Sequence, residues 1–390
     1  MVGMETSIEI YLDNAATKKP CTEAIEATTH ALAEEYGNAS SSHARGQAAK
    51  ELLEQSRGVI AEALDVKPQE VYFTSGATEA NNLAIRGCAK ARGIDAGAII
   101  TSELEHPSVT RSVRGLRRAG FTTKHIPAQG GVFDINALRE ELQDPTQLVT
   151  VMLVQNELGY IFPIDEIACA TNELAPNALV HTDATQAFGK LEVRPRSWGV
   201  DMLSVASHKI HGPKGIGALY VREGVDLFTN AFGGGQERGL RSGTEPVFLA
   251  AGFAAAVQVA MENRDRAWKH VSSLAAQLRS FLANQLPSVH ILSRDGGSPY
   301  IVAFAIPGQD AKQLVRTLSQ DGVCVSSGSA CSMTESMVPE GTWRPKHKQA
   351  LQAAGFPREY NDAMLRVSFS PANTPDEVEA FGHYLLSALQ

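Results

Sequence analysis

The stretch SVASHKIHGPKGIGALYV, residues 204–221, decides the fold class that the sequence predicts. It combines an apolar run that ends at Lys209, a turn rich in glycine and proline, and a second apolar run. Apolar runs of this length are typical of strands that are buried on both faces of a sheet. A lysine that leaves such a strand is most often a surface residue, but in a pocket its amine can act as a nucleophile and a base.

Similar apolar runs alternate with helical patterns on both sides of this stretch. Because such alternation is typical of α/β architecture, we interpret the runs as further strands of one mostly parallel sheet. The clearest of them are EVYFTSG at 70–76, GAIITSE at 97–103, LVTVMLVQN at 148–156 and ALVHTDA at 178–184.

The pattern changes after about Val247. One long helical stretch is followed by VHILS and YIVAFAI, which predict strands of an antiparallel layer. A chain of 390 residues also exceeds the size of about 250–300 residues at which single cores stop growing. We therefore expect a large α/β domain at 13–260 and a smaller α+β domain made of 1–12 and 261–390.

The net charge, the apolar stretches and the cysteines of the chain argue against several classes of partner and location. A formal net charge of -8 argues against broad binding to nucleic acids or to anionic membranes. No apolar stretch approaches the roughly 18 residues of a membrane helix, and the first residues do not resemble a signal peptide. The five cysteines form no CxxC pair, so neither a zinc knuckle nor a dithiol redox motif is indicated. Their odd number and wide scatter suit a reducing compartment. The expected location is the cytoplasm.

Several predicted strands end in groups that can bind a ligand. In open α/β sheets, ligands bind at the carboxyl ends of the strands. Residues 76–78 start a helix after one strand, which makes either a phosphate seat or an ordinary capped turn. Asp183 ends another strand, where a carboxylate either has a turn-forming role or needs a cationic or N–H partner. The loop GGGQERGLRSGTEP, 233–246, is either a linker or a source of phosphate ligands.

Together these features fit one cofactor better than they fit separate structural roles. A phosphate seat, an acid for a pyridinium nitrogen and a lysine that can form an imine describe a site for pyridoxal phosphate. In such a site, Asp183 would keep the ring nitrogen protonated and Lys209 would carry the cofactor.

The stretch VCVSSGSACSM, residues 323–333, ends an apolar run in serine and glycine and then presents Cys331. An incidental surface thiol is one interpretation. The other is a reactive thiolate on a loop that can travel, since a serine- and glycine-rich backbone permits such motion.

These stretches, in this order, resemble the cysteine desulfurases of the class V branch of the aspartate-aminotransferase fold. The resemblance runs from Tyr11 to Arg366. The matching blocks are YLDNAAT, GNASSSHARG, YFTSGATEANN, ELEHPS, QNELG, HTDATQAFGK, SHKIHGPKGIGALYVR, GGGQERGLRSGT and SSGSACS. It implies fold type I of the pyridoxal phosphate enzymes, with a mostly parallel seven-stranded sheet in the large domain and a smaller α+β domain that carries the catalytic cysteine loop.

The resemblance also implies roles for single residues. Lys209 would hold the cofactor as a Schiff base, Asp183 would pair with the pyridine nitrogen and Gln186 would bond the phenolic oxygen. His106 would stack on the ring and shuttle protons. The phosphate would be held by Ala77, Thr78 and His208, and by Thr244 from a second subunit, which implies a homodimer. The substrate would be bound by Asn38, Asn156 and Arg366.

The implied reaction converts L-cysteine to L-alanine and leaves a persulfide on Cys331 for a protein acceptor. Iron–sulfur assembly, RNA thiolation and DNA sulfur modification are all compatible with this donor, without direct binding to nucleic acid or membrane. A cysteine or cystine lyase or an aminotransferase on the same fold, and a scaffold without catalysis, remain open.

Two departures from the family pattern stand out. Ala206 occupies a position where relatives usually have a phosphate-binding serine, and the adjacent Ser207 is the candidate to replace it. The segment 332–365 also looks longer than in most relatives; it is either a surface insertion or a docking surface for the sulfur acceptor.

Overall fold

The structure is a computed structural model that describes residues 9–229, 231–328 and 349–390. Its strands are β1 (Ile10–Tyr11), β2 (Val71–Thr74), β3 (Ala98–Ser102), β4 (Thr123–Ile126), β5 (Thr146–Thr150), β6 (Leu179–Asp183), β7 (Met202–Ala206), β8 (Gly217–Val221), β9 (His290–Ile291), β10 (Ile301–Ala305), β11 (Val323–Cys324) and β12 (Met364–Ser368). Its helices are α1 (Thr22–Glu34), α2 (Ala44–Leu64), α3 (Ala77–Arg92), α4 (Pro107–Arg118), α5 (Ile135–Glu141), α6 (Ile164–Leu174), α7 (Pro195–Trp198), α8 (Val247–Gln285), α9 (Ala311–Gln320), α10 (Gln349–Ala353), α11 (Tyr360–Ala363) and α12 (Pro375–Ala388).

A seven-stranded sheet forms the centre of the fold, with strand order β2-β8-β7-β6-β5-β3-β4. The pairs from β7 across to β4 are parallel, and β8 runs antiparallel to both of its neighbours. All residues of β3, β5, β6, β7 and β8 are buried, as expected for strands that are covered by helices on both faces. The predicted fold class is confirmed.

The strand that the sequence predicts up to Lys209 is shorter in the structure. β7 ends at Ala206, and Ser207–Lys209 form a single 3-10 turn. The turn is closed by hydrogen bonds from the amides of Ile210 and Gly212 to the carbonyl of Ser207. Lys209 therefore extends from a turn beyond the strand, which lets its side chain reach away from the sheet.

A smaller layer is built around the end of the chain. β10 pairs antiparallel with both β9 and β12, which confirms the predicted antiparallel strands. The strand expected over GVCVSSG is reduced to the two residues of β11, which pair in parallel with β1. The last helix starts as predicted, because Thr374 and Glu377 form a capping box and Pro375 occupies the first turn.

We propose that the chain divides into domains as the sequence suggests, at 13–260 against 1–12 and 261–390. The support is one hydrophobic cluster that gathers Ile10 and Leu12 together with residues from Val271 to Leu385. The long helix α8 links it to the core beneath the large sheet, to which its first half contributes Val247 and Phe253.

In the described part of the chain, none of the helices has the length and apolar character that crossing a membrane requires.

Candidate active site

A cavity of about 500 Å³ opens beyond the carboxyl ends of the central strands, beside the start of α3. Its volume falls within the range of about 300–1,000 Å³ that is usual for small-molecule sites. Most of the residues that the sequence singles out line it. They are Ala77, Thr78, His106, Asn156, Asp183, Gln186, His208, Lys209 and Arg366. Lys209 and Asp183, which are far apart in sequence, thus face one cavity.

The amine of Lys209 is positioned by the segment that follows β1. Its Nζ donates to the carbonyl of Ala15 at 2.6 Å and to that of Ala16 at 2.8 Å. These two bonds fix the direction of the amine at the border of the cavity.

Asp183 is the last residue of β6, and only 4% of its surface is exposed. Its carboxylate accepts hydrogen bonds from Asn81 Nδ2 at 2.7 Å and from the amide of Thr185 at 3.0 Å. Hydrogen bonds to the charged form favour it and offset the cost of burying a carboxylate. A negative charge is therefore held at this end of the cavity.

Asn81 was not singled out from the sequence, yet it joins two of the predicted residues. The same Nδ2 that binds Asp183 also donates to Ser108 Oγ at 2.8 Å. The hydroxyl oxygen of Ser108 lies 2.8 Å from His106 Nδ1, and the backbone amide of Ser108 donates to the same nitrogen at 3.1 Å. Since an acceptor of an amide proton carries none itself, neutral His106 has its proton on Nε2.

Gln186 is oriented by a buried lysine that the sequence analysis also missed. Lys190 Nζ donates to Gln186 Oε1 at 2.9 Å, and Gln186 Nε2 donates to the carbonyl of Ala15 at 2.9 Å. The carbonyl of Ala15 can only accept, so it fixes which end of the amide is the donor. The carbonyl of Ala15 accepts hydrogen bonds from both Gln186 and Lys209, which couples the positions of the two side chains.

The start of α3 forms the opposite end of the cavity. No described side chain caps this helix, and its N-cap, Gly76, has a φ of 149° that favours glycine. Gly217 on β8 lets the two backbones approach, since a Cβ there would lie 2.8 Å from the Cα of Gly76. Unpaired amides at a helix start, next to Ala77 and Thr78, suit an anion.

His208 lies beside this end, with Nδ1 at 3.1 Å from Thr17 Oγ1. Burial, together with Lys209 and Lys214 nearby, lowers the pKa of His208 to about 3, so that its imidazole is neutral near pH 7. The adjacent Ser207 is fully buried, faces Gly212 and is absent from the lining. The expectation that it replaces the serine missing at Ala206 is therefore wrong.

Arg366 lies on β12 and is almost fully buried. Its Nη2 forms an ion pair with Asp13 Oδ1 at 2.7 Å, and Nη1 donates to the carbonyl of Asn156 at 3.0 Å. Among the described residues, its Nε has no hydrogen-bond partner. This nitrogen is itself buried, so Arg366 would present the other N–H groups of its guanidinium to a ligand in the cavity that it borders.

Three predicted residues are not brought into this cavity. Asn38 is exposed between α1 and α2, where its Oδ1 accepts from the amide of Ser40 at 2.9 Å. Thr244 is exposed in the loop before α8. Cys331 lies outside the described residues. Their roles stay predictions, and for Thr244 the prediction requires a second subunit.

The residues present fit pyridoxal phosphate. Asp183 offers a buried carboxylate for a protonated ring nitrogen, and Lys209 offers an amine in the same cavity. The uncapped start of α3 offers amides to a phosphate, while Arg366 offers a donor to a carboxylate. The site thus has partners for each charged part of the cofactor and of an amino-acid substrate.

Comparisons with known proteins agree with this geometry. The aminotransferase class-V family matches residues 10–381. The chain is 36% identical over 376 residues to a NifS/IcsS protein homolog of Lactobacillus delbrueckii subsp. bulgaricus, covering 95% of both chains. It is 32% identical over 385 residues to the cysteine desulfurase IscS of Clostridium botulinum, covering 98% of this chain and 93% of the relative. A solved NifS-like protein matches with a TM-score of 0.90 and 32% identity, over 98% of this chain and 99% of that one. The chain therefore belongs to the class-V aminotransferase family, among its cysteine desulfurases.

Proposed function

We propose that the chain is a pyridoxal phosphate-dependent cysteine desulfurase that converts L-cysteine to L-alanine and collects the sulfur on Cys331. The observation that carries the proposal is the meeting of Lys209 and Asp183 at one cavity with an uncapped helix start. The names of the relatives support the same substrate and reaction.

When bound, pyridoxal phosphate supplies an aldehyde for an amino group and a ring that accepts the electron pair left at the substrate Cα. Asp183 would hold a proton at the ring nitrogen, and Asn81 keeps that carboxylate in place. Ala77, Thr78 and neutral His208 would bind the phosphate, and Gln186 would donate to the ring oxygen.

Lys209 would attach the cofactor and carry the proton of the substrate Cα. The carbonyls of Ala15 and Ala16 hold its amine on the side of the cavity that they border. A positioned base of this kind contributes about 100- to 10,000-fold to a proton transfer. His106 would assist, since its protonated Nε2 can donate.

Arg366 and Asn156 would hold the substrate carboxylate. The ion pair with Asp13 fixes the guanidinium plane, so that the remaining N–H groups present a fixed pattern to a ligand. Asn38 would complete this part of the site.

The sulfur transfer balances without an external oxidant or reductant. The Cys331 thiolate attacks the sulfur of L-cysteine, the Cβ–S bond breaks and its electron pair stays on carbon. The proton lost by the thiol balances the one taken up at Cβ. The products are L-alanine and a persulfide on Cys331, which a protein acceptor would then receive.

A homodimer would bring Thr244 of the second subunit to the phosphate. In support, α1 exposes Ile25 and Leu32 on one side, and Tyr36 is exposed just beyond its end; the three residues are 50%, 58% and 69% accessible. We expect a cytoplasmic enzyme that delivers sulfur to a protein and does not itself bind nucleic acid or membrane.

The test measures products from L-cysteine and the holoprotein. We expect L-alanine, and a mass increase of one sulfur atom on Cys331. Cys331→Ala should bind cofactor and cysteine but form neither product, whereas Cys169→Ala, which removes an exposed thiol on α6, should behave as the unmodified chain. Pyruvate and sulfide from the Cys331→Ala variant would instead indicate a lyase, amino-group transfer an aminotransferase, and a protein that stays colourless with added cofactor a scaffold.

A further inference from the structure

A second cavity, of about 930 Å³, lies between the middle of α8, the segment that follows Asn14 and the turn at 370–373. Among the described residues, none lines both this cavity and the catalytic one. Apart from Lys190, which orients Gln186, none of the residues that line it has a role in the catalytic site, so its chemistry needs a separate explanation.

Two lysines in its wall are buried in an unusual way. Lys18 and Lys190 are only 3% and 4% exposed. Within the described ranges, neither has a carboxylate within ion-pair distance. Their amines instead lie 5.1 Å and 5.3 Å from the centre of the same Tyr300 ring, and Lys190 also donates to Gln186.

Two neighbouring ammonium groups at such depth are unfavourable without an anion. Buried charges are normally paired, and like charges raise each other's free energy. Burial and the nearby Lys209 lower the pKa of Lys18 to about 7, and burial with the repulsion from Lys18 lowers that of Lys190. An aromatic face offsets only part of this cost.

The other charged groups around the cavity leave room for an anion. Lys19 and Arg266 border it and are exposed. The carboxylate of Glu377 is already occupied, because it accepts from the amide of Thr374 and from Asn373 Nδ2. Glu9 and Glu23 also border the cavity, but they are exposed and therefore hydrated.

We propose that this second cavity is a binding site for a divalent oxyanion group of the sulfate or phosphate type, with Lys18 and Lys190 as its buried cationic ligands. Lysine is a common partner of such groups, and the cavity is large enough for a free ion or for the charged end of a larger ligand. The proposal does not depend on the proposed function, because it rests on charge and burial outside the catalytic cavity.

A chain of hydrogen bonds connects the proposed anion site to the catalytic cavity. A bound anion would keep Lys190 charged and so strengthen the hydrogen bond that it donates to Gln186, whose amide shares the carbonyl of Ala15 with Lys209.

The experiment titrates sodium sulfate into the holoprotein by isothermal calorimetry, with sodium chloride at equal ionic strength as the blank. Full cofactor occupancy blocks the phosphate seat of the catalytic cavity. We expect saturable binding of one ion per chain. Lys18→Met should weaken it about tenfold or more, Lys18→Arg should largely preserve it, and Lys312→Met, an exposed lysine on α9, should leave it unchanged.

Methionine at position 18 removes a buried charge and keeps similar volume, so the variant is expected to fold, which its melting temperature verifies. Absence of saturable binding, or binding that Lys18→Met leaves unchanged, would overturn the proposal. Binding that L-cysteine displaces competitively and that Lys18→Met spares would place the ion at Arg366 instead. Titration with glycerol 3-phosphate then separates a free ion from the phosphate of a larger ligand by its relative affinity.

Discussion

The two ends of the catalytic cavity are built in opposite ways. At the carboxyl end of β6, Asp183 already has protein partners, and hydrogen bonds continue from Asn81 through Ser108 to His106. At the start of α3, no described side chain caps the helix, and Thr78 is exposed. The carboxylate at the first end thus has protein partners, whereas no described side chain caps the first amides of α3 at the second end. We therefore expect changes at the first end to affect the chemistry and changes at the second to affect cofactor affinity.

The largest effect is expected from Asp183→Ala. The variant removes the charge proposed to face the ring nitrogen, and it leaves the amide of Thr185 and one of the two Nδ2 hydrogens of Asn81 without their acceptor. Turnover should fall about 100- to 1,000-fold, the usual cost of losing one preorganised electrostatic contact. Alanine formation at saturating cofactor measures it. Asp165→Ala, at an exposed position on α6, is the control; equal activity in both variants would contradict the assignment.

A smaller effect on turnover is expected from Asn81→Ala. Without this amide, Asp183 and Ser108 lose their shared donor, and the orientation of both Asp183 and His106 relaxes. We expect a loss of about 10- to 100-fold in kcat with little change in cofactor affinity, because misplacement by about 1 Å costs that much.

The adjacent Asn82→Ala is the matched control, because Asn82 is on the same helix but its side chain binds Thr78 and Ser112. A variant Asn81→Ala that binds cofactor more weakly and keeps its kcat would contradict the expectation that changes near Asp183 affect the chemistry rather than cofactor affinity.

At the open end, Gly76→Ala should weaken cofactor binding. A Cβ at this position meets no atom within 4 Å, so the effect comes only from the backbone, whose φ of 149° is unfavourable for alanine. Strain of about 1–3 kcal/mol would shift the start of α3 and lower the affinity for the cofactor by roughly 5- to 150-fold. Equilibrium dialysis of the cofactor measures it. Gly58→Ala, at an open position inside α2, should bind cofactor normally and be slightly more stable.

The smallest effect concerns pH. Because His208 has a pKa of about 3 in the folded chain and an ordinary value near 6.5 when unfolded, the unfolded chain binds its proton first as pH falls. The contribution of His208 to the free energy of unfolding therefore does not change with pH above about pH 6.5, and it decreases below that pH because protonation of His208 favours the unfolded chain. Melting temperatures from pH 7 to pH 5 should fall more steeply for the unmodified chain than for His208→Gln. Parallel slopes would show that the imidazole is not desolvated as described.

The meeting of Lys209 and Asp183 could be predicted from the sequence. Both follow buried apolar runs, and the carboxyl ends of parallel strands meet at one edge of a sheet whatever their separation along the chain. A helix start could also be predicted where a capping side chain identifies it, as Thr374 does for α12.

The partners of the predicted residues could not be read in the same way. Asn81 lies 102 positions from Asp183, and Asp13 lies 353 positions from Arg366. Contacts of this kind arise when separate elements pack together, so no fixed spacing in the sequence marks them. The role proposed for Ser207 failed for a related reason: adjacency in sequence does not mean that two side chains point the same way, and Ser207 faces the interior of its own turn.

The two-residue pairing of β1 with β11 links two segments that lead to different residues of the proposed mechanism. β1 leads within a few residues to Ala15 and Ala16, whose carbonyls hold the Lys209 amine, and β11 leads on to the stretch that contains Cys331. The ladder therefore ties the backbone before Ala15 to the backbone of β11, so that a substitution that disrupts β11 should also loosen the carbonyls that bind Lys209.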